Sequence, residues 1–351
     1  MPVWKDRSVL ITGHTGFKGG WLALWLARRG ANVHGYALDS PTTFNFFQAC
    51  DIRSRIHSST IADIRDLASL QTTLQQTQPE IVFHLAAQSL VRKSYHAPLE
   101  TFSANVMGTA TLLEAVRHAD SVKAVVNITT DKCYSNQEWP WPYRENEPLG
   151  GDDPYSASKA CAELVSHAYR TAFLADAGIH LATARAGNVI GGGDWAENRL
   201  LPDFFRALNA GKPLVIRSPQ ATRPWQHVLE PLAGYLLLAE RLLTGKKDFA
   251  EAWNFGPEES DSKSVRWIAE WLCSHQPGAM WQIEQSECVH EALALKVDSS
   301  KAKHRLGWMP RWSLEQALFK TLQWNRHFQA HDNMATVSLE HIADYESGHC
   351  A

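Results

Sequence analysis

The sequence predicts an α/β fold, a doubly wound parallel sheet with a smaller C-terminal α/β substrate-binding lobe, and three observations predict it. A glycine-rich turn, Gly13-His14-Thr15-Gly16-Phe17-Lys18-Gly19, stands between a short apolar strand and a helical run. Strand-like and helix-like segments then alternate through the first half, the pattern of a parallel sheet with crossover helices. After Arg185 the alternation gives way to a glycine-rich crossing, Ala186–Trp195, and to helices separated by short strands. The implied boundaries are 1–187 for a nucleotide-binding domain, completed by segments near 225–257, then 188–330 for the lobe and 331–351 for a polar tail.

The elements follow in order. Ser8–Thr12 reads as the first strand, and Gly20–Arg29 has helical spacing with Trp21, Leu22, Leu24, Trp25 and Leu26 as apolar positions. Strand, glycine turn and helix form the context of a dinucleotide fingerprint. Gly13, Gly16 and Gly19 let backbone approach a pyrophosphate, and the helix N-terminus faces the anion. The second strand, Asn32–Leu38, ends at Asp39. An acid there accepts hydrogen bonds from the adenosine ribose and repels the extra phosphate of NADP, which favours NAD. Asp39-Ser40-Pro41 also reads as a turn. Thr60–Ile64 ends a third strand, and Glu80–Leu85 is a fourth that enters Ala86-Ala87-Gln88. A long helical stretch includes Asn105–His118. Val122–Ile128 is the fifth strand, Tyr155–Ala175 a helix and His180–Arg185 the sixth strand. Ligands bind outside the carboxyl ends of such strands, where Gly13, Asp63, Ala86, Thr130 and Asn188 fall. No helix is read from His331 onward.

Tyr155 and Lys159 carry the chemistry. At i and i+4 a helix sets them on one face. An ammonium beside a phenol favours phenolate, so Lys159 is expected to make Tyr155 a base near neutral pH. Thr130 adds a hydroxyl for the same substrate oxygen, and Asp131-Lys132 supply a second titratable pair. One pair suits oxidation of an alcohol; the other suits moving protons elsewhere on the same molecule. A chance Tyr-x-x-x-Lys becomes untenable once the glycine turn precedes it in the right order. Arg199, Arg217 and Arg223 lie in the second half, and a guanidinium fork suits phosphate oxygens, although a solvated surface arginine is the commoner case.

Composition narrows the class. The 351 residues carry a net charge of −3, which gives no basic footprint for nucleic acid. No apolar run reaches membrane-spanning length, and the N-terminus does not read as a signal peptide. The six cysteines lack C-x-x-C spacing and the sixteen histidines lack metal spacing, so neither a disulfide framework nor a metal site is expected. A reduced, cytoplasmic protein fits. Cys133, beside the catalytic candidates, reads as a packing residue before a nucleophile.

The segments GHTGFKG, HLAAQSLVRKSY, NVMGT, TTDKCY, YSASK, RAGNVIGGGDW and RPWQHV together resemble the extended short-chain dehydrogenase/reductases that act on nucleotide sugars. The resemblance spans residues 5–330 and implies a Rossmann fold. Asp131-Lys132 after Thr130 is the pair of the branch that dehydrates CDP-glucose. The implied reaction oxidises C4, eliminates water across C5 and C6, and returns hydride to C6, giving a 4-keto-6-deoxy sugar. In that scheme Tyr155 takes the 4-hydroxyl proton, Lys159 tunes it and holds the nicotinamide ribose, and Thr130 binds the 4-oxygen. Lys132 acts on the C5 proton, as base or as orienting group, and Asp131 protonates the departing 6-hydroxyl. Asp131 must then be held protonated and Lys132 partly neutral.

The resemblance also places cofactor contacts on Gly13, Thr15, Gly16, Phe17 and Gly19. Asp63 and Ile64 are implied near adenine, with Leu85, Ala86, Ala87 and Asn105 along the dinucleotide. Substrate contacts are implied at Gln88, Asn188, Arg199, Arg217, Arg223 and Asn254. A homodimer or dimer of dimers is implied, with the Asn105–His118 and Tyr155–Ala175 helices able to face a second copy. A 4-epimerase, a dehydratase of another nucleotide sugar and a non-catalytic NAD sensor are the alternatives.

Overall fold

The computed structural model describes residues 3–40, 42–245, 247–284 and 294–348. Cys288 and Cys350 lie outside them. A seven-stranded sheet forms the centre, built on β1 (Ser8–Thr12), β2 (Asn32–Ala37), β3 (Ser58–Ile61), β4 (Ile81–His84), β5 (Ala124–Ile128) and β6 (His180–Ala186). The strand Ala252–Phe255 completes it beside β6, and every pairing is parallel. From β1 the chain runs outward through β2 to β3; from β4 it runs the other way through β5 to β6. The β1/β4 boundary is therefore the switch point of the sheet, where the strand ends splay into a crevice.

Both faces of the sheet are covered, which explains its unbroken apolar runs. Successive side chains alternate between two cores with the period of a strand. Val9 and Ile11 of β1, Ile81 and Phe83 of β4, and Val126 of β5 enter the core that contains α1 (Phe17–Arg28) and the Leu229–Leu243 helix. Leu10, Val82 and Val125 point the other way, onto Leu70, Leu112 and Val116. Each such aliphatic burial contributes roughly 1.5–3 kcal/mol. A third core lies off the sheet, where Leu201, Phe204, Ile216, Ile268 and Leu318 surround Trp225.

Four segments differ from the sequence-based expectation. The third strand stops at Ile61, so Ala62–Ile64 is loop. The two long helices contain wide, π-type turns at Ser103–Met107 and Arg170–Leu174, and wide turns of this kind are frequent beside functional sites. The polar tail is not loose: Met334–Ser347 is a helix capped by Asn333, whose side chain accepts from the Thr336 N–H at 3.0 Å. Its inward face mixes Met334, Val337, Ile342 and Tyr345 with Ser338 and His341, all buried. Those two polar residues break the apolar period on which a sequence-based helix assignment depends.

Candidate active site

The crevice at the switch point is a cavity of about 650 Å³, within the range of small-molecule sites. One end is the glycine turn. Gly13 has φ +78°, and a Cβ there would lie 2.7 Å from the Ala86 nitrogen. A Cβ on Gly19 would lie 2.1 Å from the Gly13 carbonyl oxygen. Larger residues would therefore fill the cradle or push α1 away from it. Gly16 begins α1 with no side chain to cap the first-turn N–H groups, which leaves them for an anion. Thr15 fastens the turn by donating to the Leu38 carbonyl at 2.8 Å. Phe17, Asp39, Ile64, Leu85, Ala86 and Ala87 continue the wall, and Asp39 is exposed at the end of β2. A glycine cradle, an uncapped helix start and an acid after β2 fit a dinucleotide.

The reaction centre sits where β5 ends. Thr130 caps a short turn over Asp131–Cys133, receives the Lys132 N–H at 3.3 Å and donates to Asp131 Oδ1 at 3.1 Å. The Pro154–Tyr169 helix brings Tyr155 and Lys159 to the same wall. Its start is fixed by Pro154 and by Asp153, which accepts from the Ser156 N–H at 2.9 Å and hydroxyl at 2.6 Å. Lys159 Nζ donates to the Ile128 carbonyl at 3.0 Å, which ties the helix to the end of β5. One turn further, buried Glu163 receives Arg185 through both oxygens at 2.9 Å and Thr183 at 2.7 Å, and also binds the Thr129 hydroxyl. This paired charge braces the turn from behind.

Burial sets the protonation states. It pushes Tyr155 up to about 12, and the hydrogen bond to Thr130 and the Arg199 charge pull only partly back. Lys159 falls to about 8, again through burial, with Glu163 opposing. Burial thus sets Tyr155 above its ordinary value, while the Lys159 ammonium is engaged by the Ile128 carbonyl. Asp131 is 2% exposed, its carboxyl raised by burial against the pull of Lys132, and its Oδ2 has no hydrogen-bond partner among the described residues. That shift moves Asp131 toward the protonated form that an acid needs. Gly187 allows this, since a Cβ there would come 2.7 Å from that Oδ2. Cys133 is fully buried with its thiol raised by burial, as a packing residue should be.

Most of the remaining candidates line the same cavity: Gln88, Asn188, Arg199, Arg217 and Arg223. Arg199 is oriented by Asp194 at 2.9 Å and by Ser89 at 3.1 Å. Asp63 also lines it, with its carboxylate oriented by Arg65, which holds it below its ordinary value. Two candidates are corrected. Asn254 is fully buried behind the wall, donating to the Tyr143 and Asp298 carbonyls and accepting from Tyr134 at 2.6 Å. Asn105 is likewise a brace, holding both the N–H and the carbonyl of Gln88 from the wide turn.

Lys18 was missed. It lines the cavity and burial lowers it to about 8. The sequence did carry a signal, because a lysine in the first turn of a helix opposes the dipole. Such a placement needs a reason such as an anionic ligand.

The profile of the family described as GDP-mannose 4,6 dehydratase matches residues 10–321. A CDP-glucose 4,6-dehydratase from Salmonella typhimurium is 50% identical over 98% of this chain and 97% of its own length. A dTDP-glucose 4,6-dehydratase from Xanthomonas campestris is 29% identical over 90% of this chain and 92% of the relative. Among solved structures, dTDP-glucose 4,6-dehydratase from Bacillus anthracis in complex with NAD superposes with a TM-score of 0.77 at 20% identity, covering 94% of this chain and all of that one. Fold, cavity and extended sequence match lead to one assignment: the chain belongs to the GDP-mannose 4,6 dehydratase family.

Proposed function

We propose that this protein dehydrates CDP-glucose to CDP-4-keto-6-deoxyglucose. The carrying observation is Asp131, a buried carboxyl kept toward its neutral form, beside Lys132 and in one cavity with Tyr155 and Lys159. An epimerase or simple dehydrogenase needs Tyr155 and Lys159 without the acid; Asp131 has work only if a hydroxyl must leave.

NAD would be held by Gly13, Thr15, Gly16, Phe17, Gly19 and Asp39, with Ile64, Ala86 and Ala87 alongside and Lys159 on the nicotinamide ribose. Bound NAD would supply a hydride acceptor for C4 and a donor for C6, and the positive charge of its nicotinamide ring would favour the Tyr155 phenolate. Tyr155 accepts the 4-hydroxyl proton while Thr130 orients that oxygen. Once C4 is a ketone the C5 hydrogen becomes acidic, and Lys132 takes it as a proton. Asp131 gives its proton to the 6-hydroxyl as the C6–O bond breaks, so water leaves. Arg199, Arg217 and Arg223 hold the diphosphate, with Lys18 as a further cation near the reaction centre.

Leu99, Met107 and Leu164 are 84%, 57% and 57% exposed on adjoining elements, Pro98–Phe102, Ser103–Met107 and Pro154–Tyr169. We assign this apolar face to a homodimer contact.

The test is mass spectrometry of parallel reactions with CDP-glucose, dTDP-glucose, UDP-glucose and GDP-mannose, with NAD added. Loss of one water from CDP-glucose without accumulation of NADH is expected. An isomer of unchanged mass, or NADH in proportion to product, would replace dehydration by epimerisation or oxidation.

A further inference from the structure

Beyond Arg199 and Arg223 the far wall of the cavity is built from the start of the Leu200–Asn209 helix, the strand Leu214–Ile216 with Arg217 and Ser218, and Val265. With the sugar at Tyr155 and the diphosphate at the arginines, this wall is what the base of a nucleotide sugar meets. In that helix Leu201 and Phe204 are buried in the third core. Leu200 and Asp203, three residues apart and so on a common face, line the cavity. Leu200 and the exposed Val215 offer apolar surface to a ring, while Asp203 places a carboxylate at its edge.

That carboxylate is oriented. Arg206 forms an ion pair with Asp203 Oδ1, and the same guanidinium is fixed by the Trp195 and Ala196 carbonyls at 3.0 and 3.1 Å. Most other acids lining the cavity have different assignments. Asp63 and Glu100 are bound by Arg65, Asp194 is bound by Arg199, and Asp131 belongs to the reaction centre.

We propose that Asp203 selects the base by accepting a hydrogen bond from the exocyclic amine of cytosine, an inference that rests on the CDP-glucose reading. An ionised carboxylate only accepts. Cytosine presents an amine donor where uracil and thymine present a carbonyl. Asp203 therefore attracts the first and repels the others. Ser218 is a donor available to the acceptor atoms of the pyrimidine.

The experiment compares wild type, Asp203→Asn and Asp203→Leu. Two quantities are measured on each: kcat/KM for CDP-glucose against UDP-glucose, and the affinity of the NAD-loaded protein for CDP against UDP by calorimetry. Asparagine offers an amide donor to the uracil carbonyl, so the CDP:UDP ratio should fall about ten- to a hundredfold in both measurements. Leucine should weaken CDP without strengthening UDP. An unchanged ratio in both variants overturns the proposal, and so does an equal shift in Glu197→Gln, a second carboxylate lining the cavity. Calorimetry keeps the two readings apart. If no sugar nucleotide turns over but CDP is preferred through Asp203, the dehydration fails and the base selector stands.

Discussion

Tyr155, Lys159 and Asp131 are all buried, and burial moves each toward its neutral form. A neutral carboxylic acid is what departure of a hydroxyl requires, whereas a neutral phenol is a resting state awaiting a cation. Asp131→Asn should therefore allow C4 oxidation and stop water loss, so that NADH accumulates with CDP-glucose where the wild type shows none. Tyr155→Phe removes the base itself and should lower kcat by about 10²- to 10⁴-fold, measured by product mass. Lys132→Ala should lose solvent-deuterium incorporation at C5; normal labelling with normal turnover would reduce Lys132 to an orienting group. Thr130, Asp131, Lys132, Tyr155 and Lys159 were legible as residue types at fixed spacing. The direction of the Tyr155 shift was not, because it depends on burial, which no local spacing encodes. Asn254 and Asn105 failed for a related reason: an amide that braces the wall and one that touches a ligand look identical in sequence.

At the scale of elements, the Met334–Ser347 helix is fastened through Glu230, at the start of the Leu229–Leu243 helix. Glu230 accepts from the Arg311 and Trp312 N–H groups and, at 2.7 Å, from the Tyr345 hydroxyl. Burial raises its carboxyl from 4.5 to about 7. The folded state thus retains a proton that the unfolded chain has released above about pH 4.5, and stability falls as pH rises through 7. The thermal midpoint of the wild type should decline between pH 5 and 8, by an amount on the order of a few kcal/mol in stability. Glu230→Gln should flatten that slope. Nothing local announced this lock, since its partners are more than 80 positions away in sequence. The nearby glycine turn was legible because its demand is local: Gly19→Ala forces a Cβ into the Gly13 carbonyl and should weaken NAD binding, read by calorimetry.

For the whole molecule, the parallel sheet followed from alternation of strand and helix, and its switch point predicted where ligands gather. The exposed face of Leu99, Met107 and Leu164 sits on the side of the molecule that presents the Pro154–Tyr169 helix. Leu164→Arg should shift the particle toward monomer in sedimentation, and unaltered mass would exclude this face as the contact.

The contacts between the ends of the chain bear on its synthesis. The Trp25 indole of α1 donates to Glu346 at 2.7 Å, and Trp21 stacks on His341 at 6.4 Å between ring centroids. An N-terminal nucleotide-binding unit would ordinarily be free to fold as it leaves the ribosome. Here the part of the first helix that packs on Met334–Ser347 stays uncovered until a residue 321 positions further along has emerged. A chain released early would carry that sticky surface permanently, and quality control would meet it as an unfinished protein.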